Sequence, residues 1–154
     1  MKTSRQSKTP GTSYMKKHFE AVMVPLCFGI NFPDQKKYDK ITNGKIPFVK
    51  KALEISAKHP RLIPGYSELP EFMKGEQAEH DLKIFASEAK EVVEIIFNSE
   101  GSVSYIAYAY ALAFYENVKF AATQNVSTAG PVYNSLKRKF AKEIGHSRSG
   151  RIAA

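Results

Sequence analysis

Side chains capable of acid–base, nucleophilic or metal chemistry are few in this chain, and their spacing suits it poorly. A carboxylate-bridged metal site in a helical bundle needs carboxylates from two helices and a Glu-x-x-His pair from each of two others, so that the ligands converge on one centre. The histidines are His18, His59, His80 and His146, and only Glu143 with His146 has that spacing. Gly145 puts the pair at an expected helix end, so no metal centre is predicted. Glu76 and His80 stand i,i+4 and could touch, as ordinary surface pairs do. Glu88, Glu91 and Glu94 could supply paired carboxylates, but Glu91 and Glu94 fall on the polar face of their helix, where solvated carboxylates belong. Cys27 has no histidine beside it in sequence and sits in an apolar run, which reads as a buried structural thiol and not a nucleophile. A phosphate-cradling glycine loop and Gly-x-Ser-x-Gly are both absent. The expectation is a non-enzymatic protein with no catalytic, cofactor-binding or metal-ligating residue.

Charge leaves a second kind of chemistry open. Residues 1–61 carry 13 Lys/Arg against 4 Asp/Glu, residues 62–127 carry 4 against 10, and residues 128–154 carry 6 against 1. Two basic ends flank an acidic middle, for a net charge of +8. Lys137, Arg138, Lys142, Arg148 and Arg151 are the contacts that a weak, sequence-independent nucleic-acid binder would use. Few aromatic rings interleave with them, and stacking platforms need exposed rings near the charge. Mutual compensation on a mixed surface is therefore the preferred reading.

The elements that must position these residues are helical. Met15, Phe19, Val22 and Met23 share one face of a helix over 13–24, capped by Ser13 and stopped by Pro25. Lys2, Arg5 and Lys8 ahead of Ala21–Ile30 superficially resemble a signal peptide, but Pro25, Gly29 and the following Asn-Phe-Pro-Asp favour a folded segment. Pro47 opens the next helix, with Phe48, Val49, Ala52, Ile55 and Ser56 on its buried face and His59-Pro60 at its end. Pro64-Gly65 is a turn. Ser67 is expected to open a long helix that Gly75 interrupts. From Leu82 that helix is regular, with Phe85, Ala86, Ala89, Val92, Val93, Ile96 and Phe97 on a face of about 140°. The last helix starts near Thr128, tolerates Pro131 in its first turn, buries Val132, Tyr133, Leu136, Phe140 and Ile144, and stops at Gly145.

The segment 102–124 is the unusual one. No charge occurs from Gly101 to Tyr115, yet the run is too short to cross a bilayer. Val103, Ile106, Tyr110, Ala113, Phe114, Asn117 and Ala121 form one stripe. Tyr108, Leu112, Tyr115 and Lys119 form another, nearly opposite. A helix that is apolar on two sides must be covered on two sides. The second stripe is predicted to be an interface with another subunit, the alternative being that segment 19–32 folds over it. Asn117, on the apolar stripe, is expected to fix helix register, since a buried amide needs partners.

The expected fold is all-α: a compact antiparallel bundle of four main helices plus a short N-terminal helix. One domain spans 13–144, between a disordered basic arm at 1–12 and a disordered tail at 145–154. A single cysteine and no membrane span predict a cytoplasmic protein. Its partners are predicted to be its own copies or another protein.

Several segments add a resemblance. They are Val24-Pro25-Leu26, Asp34-Gln35-Lys36-Lys37, Asn43–Glu54, Leu62-Ile63-Pro64 with Glu71-Phe72, Gly101-Ser102 with Tyr105, Ala111–Lys119 and Tyr133–Phe140. Together they resemble a family of small uncharacterised bacterial all-helical proteins, over about residues 19–140. The resemblance implies a compact helical fold and a bacterial origin, and it carries no catalytic or binding residue. The chain departs from the pattern at Ser127–Pro131, where the family has Pro-Gly before the last helix.

Overall fold

The computed structural model describes residues 12–27, 30, 40–42 and 45–149. Among them are five helices: α1 (Thr12–Leu26), α2 (Ile46–Lys58), α3 (Glu76–Glu100), α4 (Tyr105–Thr123) and α5 (Ala129–Ser149). The fold is all-α. Its one departure is a ribbon of two three-residue strands, β1 (Lys40–Thr42) and β2 (Ser102–Ser104), paired antiparallel with Ile41 opposite Val103. Ser102 was expected to start a helix. Instead its segment pairs with a strand distant in sequence, a partner that local periodicity does not reveal.

Helix α2 is the hub. It touches α3, α4 and α5, while α1 packs on α3 and α4 on α5. Pro47 sits in its first turn, where a missing N–H costs nothing. Phe48, Val49, Ala52, Leu53 and Ser56 are fully buried. Its polar side carries Lys51, Glu54 and Lys58 in a chain of ion pairs at 3.3 and 2.9 Å. These pairs hold the Glu54 carboxyl below its ordinary range, led by the hydrogen bond from Lys58.

Three expected boundaries move. Helix α1 runs through Pro25 to Leu26, because a proline near the last turn forfeits only its own N–H, and the Cys27 N–H still reaches Met23 O at 3.0 Å. Helix α3 begins at Glu76, not Ser67. Gly75, at φ 133°, does not kink a helix; it ends an extended approach and precedes one. Residues 60–73 instead form a strap with 3-10 turns at Pro60–Leu62 and Glu71–Met73, and a turn at Pro64-Gly65 closed by Tyr66 N–H to Ile63 O at 3.1 Å. Helix α5 continues past Gly145 to Ser149. The rest of the expected tail and residues 1–11 of the expected arm lie outside the described residues.

One contiguous core joins all five helices. Met23 and Leu26 of α1, Val93 of α3, Tyr110, Phe114 and Val118 of α4 and Leu136 of α5 are fully buried in it. Among the described residues, no helix is long and apolar enough to cross a membrane.

Candidate docking groove

The tyrosines expected at a subunit interface are covered from inside the chain. Tyr108 is 8 % exposed and Tyr115 6 %. Phe48 of α2 meets both rings edge-on, at 6.5 and 6.0 Å between centroids. Phe140 of α5 stacks on Tyr115 at 4.7 Å, and Tyr133 lies 5.7 Å from it. The Lys45 ammonium sits 4.6 Å over Tyr108. Residues of α2 and α5 thus cover both tyrosines. Of the four stripe residues, Leu112 is half-buried, and Lys119 is exposed with Glu116 3.6 Å away.

The physical reason lies in the alanines. At 100° per residue, Tyr110, Phe114, Ala107, Val118, Ala111, Tyr115 and Tyr108 fill one arc of roughly 160°. All of them are buried. The two apolar stripes are the flanks of this single broad face. Its centre is held by Ala107 and Ala111, small enough to admit neighbouring elements closely and too weakly apolar to mark a stripe.

Asn117 has a partner. Its amide nitrogen donates to Leu62 O at 2.7 Å. It therefore ties the strap to α4 and does not set a helix register. The strap is also held to α3: Arg61 Nε donates to Glu79 Oε1 at 2.7 Å and Tyr66 Oη to the same oxygen at 3.3 Å. The carboxylate raises the already high Arg61 pKa further.

The remaining candidates whose side chains are described stand apart from one another. Glu76, His80, Glu88 and Glu91 are exposed and Glu94 is half-buried. Glu143 and His146 lie beyond the described side chains. No cluster of three or more His, Cys, Asp or Glu that could hold a metal occurs among the described residues. Cys27 is half-buried, and burial pushes its thiol up to about 12, which removes the thiolate at neutral pH. Behind it the fully buried Tyr110 hydroxyl forms no hydrogen bond among the described residues, and burial raises its pKa. Ser56 stands near enough to influence that hydroxyl, but it donates its own proton to Leu53 O at 3.0 Å.

What the strap builds is an apolar groove. Val24 and Pro25 of α1, Leu69, Pro70 and Met73 of the strap, and Leu82 of α3 line a cleft of about 510 Å³. Glu68 supplies its charged edge. Val24 and Met73 of the lining are exposed, and Phe72, next to Met73 in the chain, is 87 % exposed. The groove exists because the first turns of α3 overhang the bundle: no residue from Glu76 to Phe85 is buried. Sequence reasoning missed it by assigning Ser67–Gly75 to a helix. Leu69, Phe72 and Met73 share helical spacing, so the sequence offered only Pro64, Gly65, Pro70 and Gly75 as breakers around them.

The basic end remains a surface. Lys137, Arg138 and Lys139 are exposed on α5, with the Lys137 ammonium 5.8 Å above the Tyr133 ring. Lys142 and Arg148 are also on α5, and Arg151 lies outside the described residues. Compared with protein-family models, curated proteins and solved structures, the chain matches none.

Proposed function

We propose that this is a non-enzymatic, cytoplasmic helical protein that works by contact with another protein, through the groove between α1, the strap and the overhanging turns of α3. The observation that carries this reading is the apolar groove of about 510 Å³, whose Val24 and Met73 are exposed, with the nearly fully exposed Phe72 next to Met73 in the chain. A soluble chain has little reason to leave a phenyl ring beside an open apolar cleft, and large exposed apolar patches mark contact sites. The half-buried, weakly acidic Cys27 suits a reducing compartment. A bacterial origin, implied by the sequence resemblance, belongs to the same reading.

The test is chemical cross-linking in the native host with the wild type and with Met73→Glu, which puts a charge into the groove wall. Partners should be captured by the wild type and lost from the variant. If the wild type captures no partner and forms no oligomer, the reading fails.

One observation favours a second reading. Lys137, Arg138 and Lys139 are exposed together and form no ion pair among the described residues, which suits weak binding to a phosphate backbone. Filter binding at two salt concentrations should then show a steep salt dependence and no sequence preference. Tight binding to one defined sequence at physiological salt would overturn it.

A further inference from the structure

We infer that residues 66–74 form an arm that lifts from the bundle as a unit and so controls access to the groove, with the hydrogen bond from Tyr66 to Glu79 as its latch. The inference does not depend on what the groove contacts. The strap divides after Ile63. Leu62 and Ile63 are buried, the Pro60–Leu62 turn packs on α2, α3 and α4, and Asn117 holds the Leu62 carbonyl. None of residues 64–75 is buried. Local stability follows buried apolar contact and hydrogen bonding to distant elements, so the two halves of the strap must differ in stability.

The hydrogen bonds agree. The Leu69 N–H reaches Tyr66 O at 3.2 Å and the Met73 N–H reaches Pro70 O at 2.8 Å, both within the arm. The Tyr66 and Glu68 N–H groups reach only the turn before it, at Ile63 O and Gly65 O. The Glu71–Lys74 ion pair also closes inside the arm. Among the described residues, the arm's one hydrogen bond to another element is from Tyr66 Oη to Glu79 Oε1, at 3.3 Å. The same oxygen accepts the shorter, charge-assisted bond from Arg61 Nε at 2.7 Å. Opening the arm therefore leaves the carboxylate paired with the anchored half of the strap and strands no charge. Space and hinges are present as well. Glu68 borders the groove on one side and, on the other, a cleft of about 480 Å³ against Leu112 and Ala113 of α4. Gly65 at φ 85° and Gly75 at φ 133° flank the arm, and hinges are a few such residues that absorb large backbone changes. Leu69, Pro70 and Met73 form one wall of the groove, so lifting the arm uncovers Val24 and Pro25 of α1 and Leu82 of α3.

Native-state hydrogen exchange of the full chain tests this. The N–H groups of Tyr66, Glu68, Leu69 and Met73 should share one modest protection, far below that of α2 and α4. Tyr66→Phe should speed their exchange together by about three- to tenfold, the effect of one hydrogen bond, and leave α2 and α4 unchanged. A second readout is access to the groove. In a Cys27→Ser chain, the thiol introduced by Leu82→Cys should react faster with a maleimide once Tyr66→Phe is added. Exchange of the arm at the rate of an unfolded chain overturns the inference, because no closed state is then held. Exchange of the arm only together with α2 and α4 overturns it too, because the arm then has no opening of its own. So does a Tyr66→Phe chain in which neither rate changes, or in which α2 and α4 speed up along with the arm.

Discussion

Helices α3 and α4 are both long and both rich in apolar residues, yet they lie in the bundle in opposite ways. Helix α3 buries five of its 25 residues, Ala86, Ala89, Val92, Val93 and Ile96, along a narrow face. Its first turns overhang, and Ile84 and Ile95 are exposed. Helix α4 buries nine of its 19 residues, and α2, α5 and the Pro60–Leu62 turn pack around it. The difference is one of width. Helix α3 packs on α1 and α2 through one narrow stripe, and its surplus apolar residues become surface. A helix with neighbours on several sides can bury tyrosines on both flanks, provided small residues in between admit those neighbours. The same contrast separates interior from contact surface: the rings of α4 are spent on the core, and the groove arises beside the overhang of α3.

The strongest break in this comparison is expected from Phe114→Ala. That ring is fully buried in α4, and its loss should cost about 3–5 kcal/mol in urea unfolding. Ile95→Ala on α3, 48 % exposed, should change stability by less than about 0.5 kcal/mol. Similar costs for the two would contradict the assignment of Phe114 to the core and Ile95 to the surface.

The role given to the small residues is tested next. Ala111→Leu overpacks the centre of the buried arc and should cost about 1–3 kcal/mol. Ala113→Leu, half-buried on the α4 flank, should cost clearly less in the same thermal melts.

Alkaline pH should lower the stability of the fold. Burial raises Tyr115 to about 12 from an ordinary 10, with Tyr133 beside it adding to the effect. It raises Cys27 to about 12 from 9.0, and raises Tyr110 as well. Each group stays neutral in the folded state where the unfolded chain would ionise. The stability that this neutrality protects is therefore complete below about pH 9 and is lost progressively as pH rises towards 12. Denaturant melts from pH 8 upwards should show the decline, and Cys27→Ser should delay its onset. A flat profile to about pH 11 would contradict the burial of these groups.

A small effect of the opposite sign is also the most discriminating. Tyr110→Phe removes a buried hydroxyl that has no hydrogen bond among the described residues, so it should be neutral or stabilise the protein by about 1 kcal/mol. A loss of that size would show that the hydroxyl holds a buried water.

The helices α1, α2 and α5 were legible from residue spacing, because each presents its core face at helical period and carries a proline or capping residue near an end. The regular part of α3 was legible for the same reason. The groove was not legible. It depends on where α3 begins, and Gly75 fits a kinked helix as well as a helix start until the backbone is placed.

Local pattern therefore carried the helical character of this protein, the identity of most core faces and the distribution of charge, since each depends on residues within a few turns of one another. The cover of Tyr108 and Tyr115 by Phe48 and Phe140, the tether from Asn117 to Leu62 and the pairing of Ile41 with Val103 join residues far apart in the chain. Such contacts form only where packing brings distant segments together, and helical periodicity says which face is apolar without saying what will lie against it.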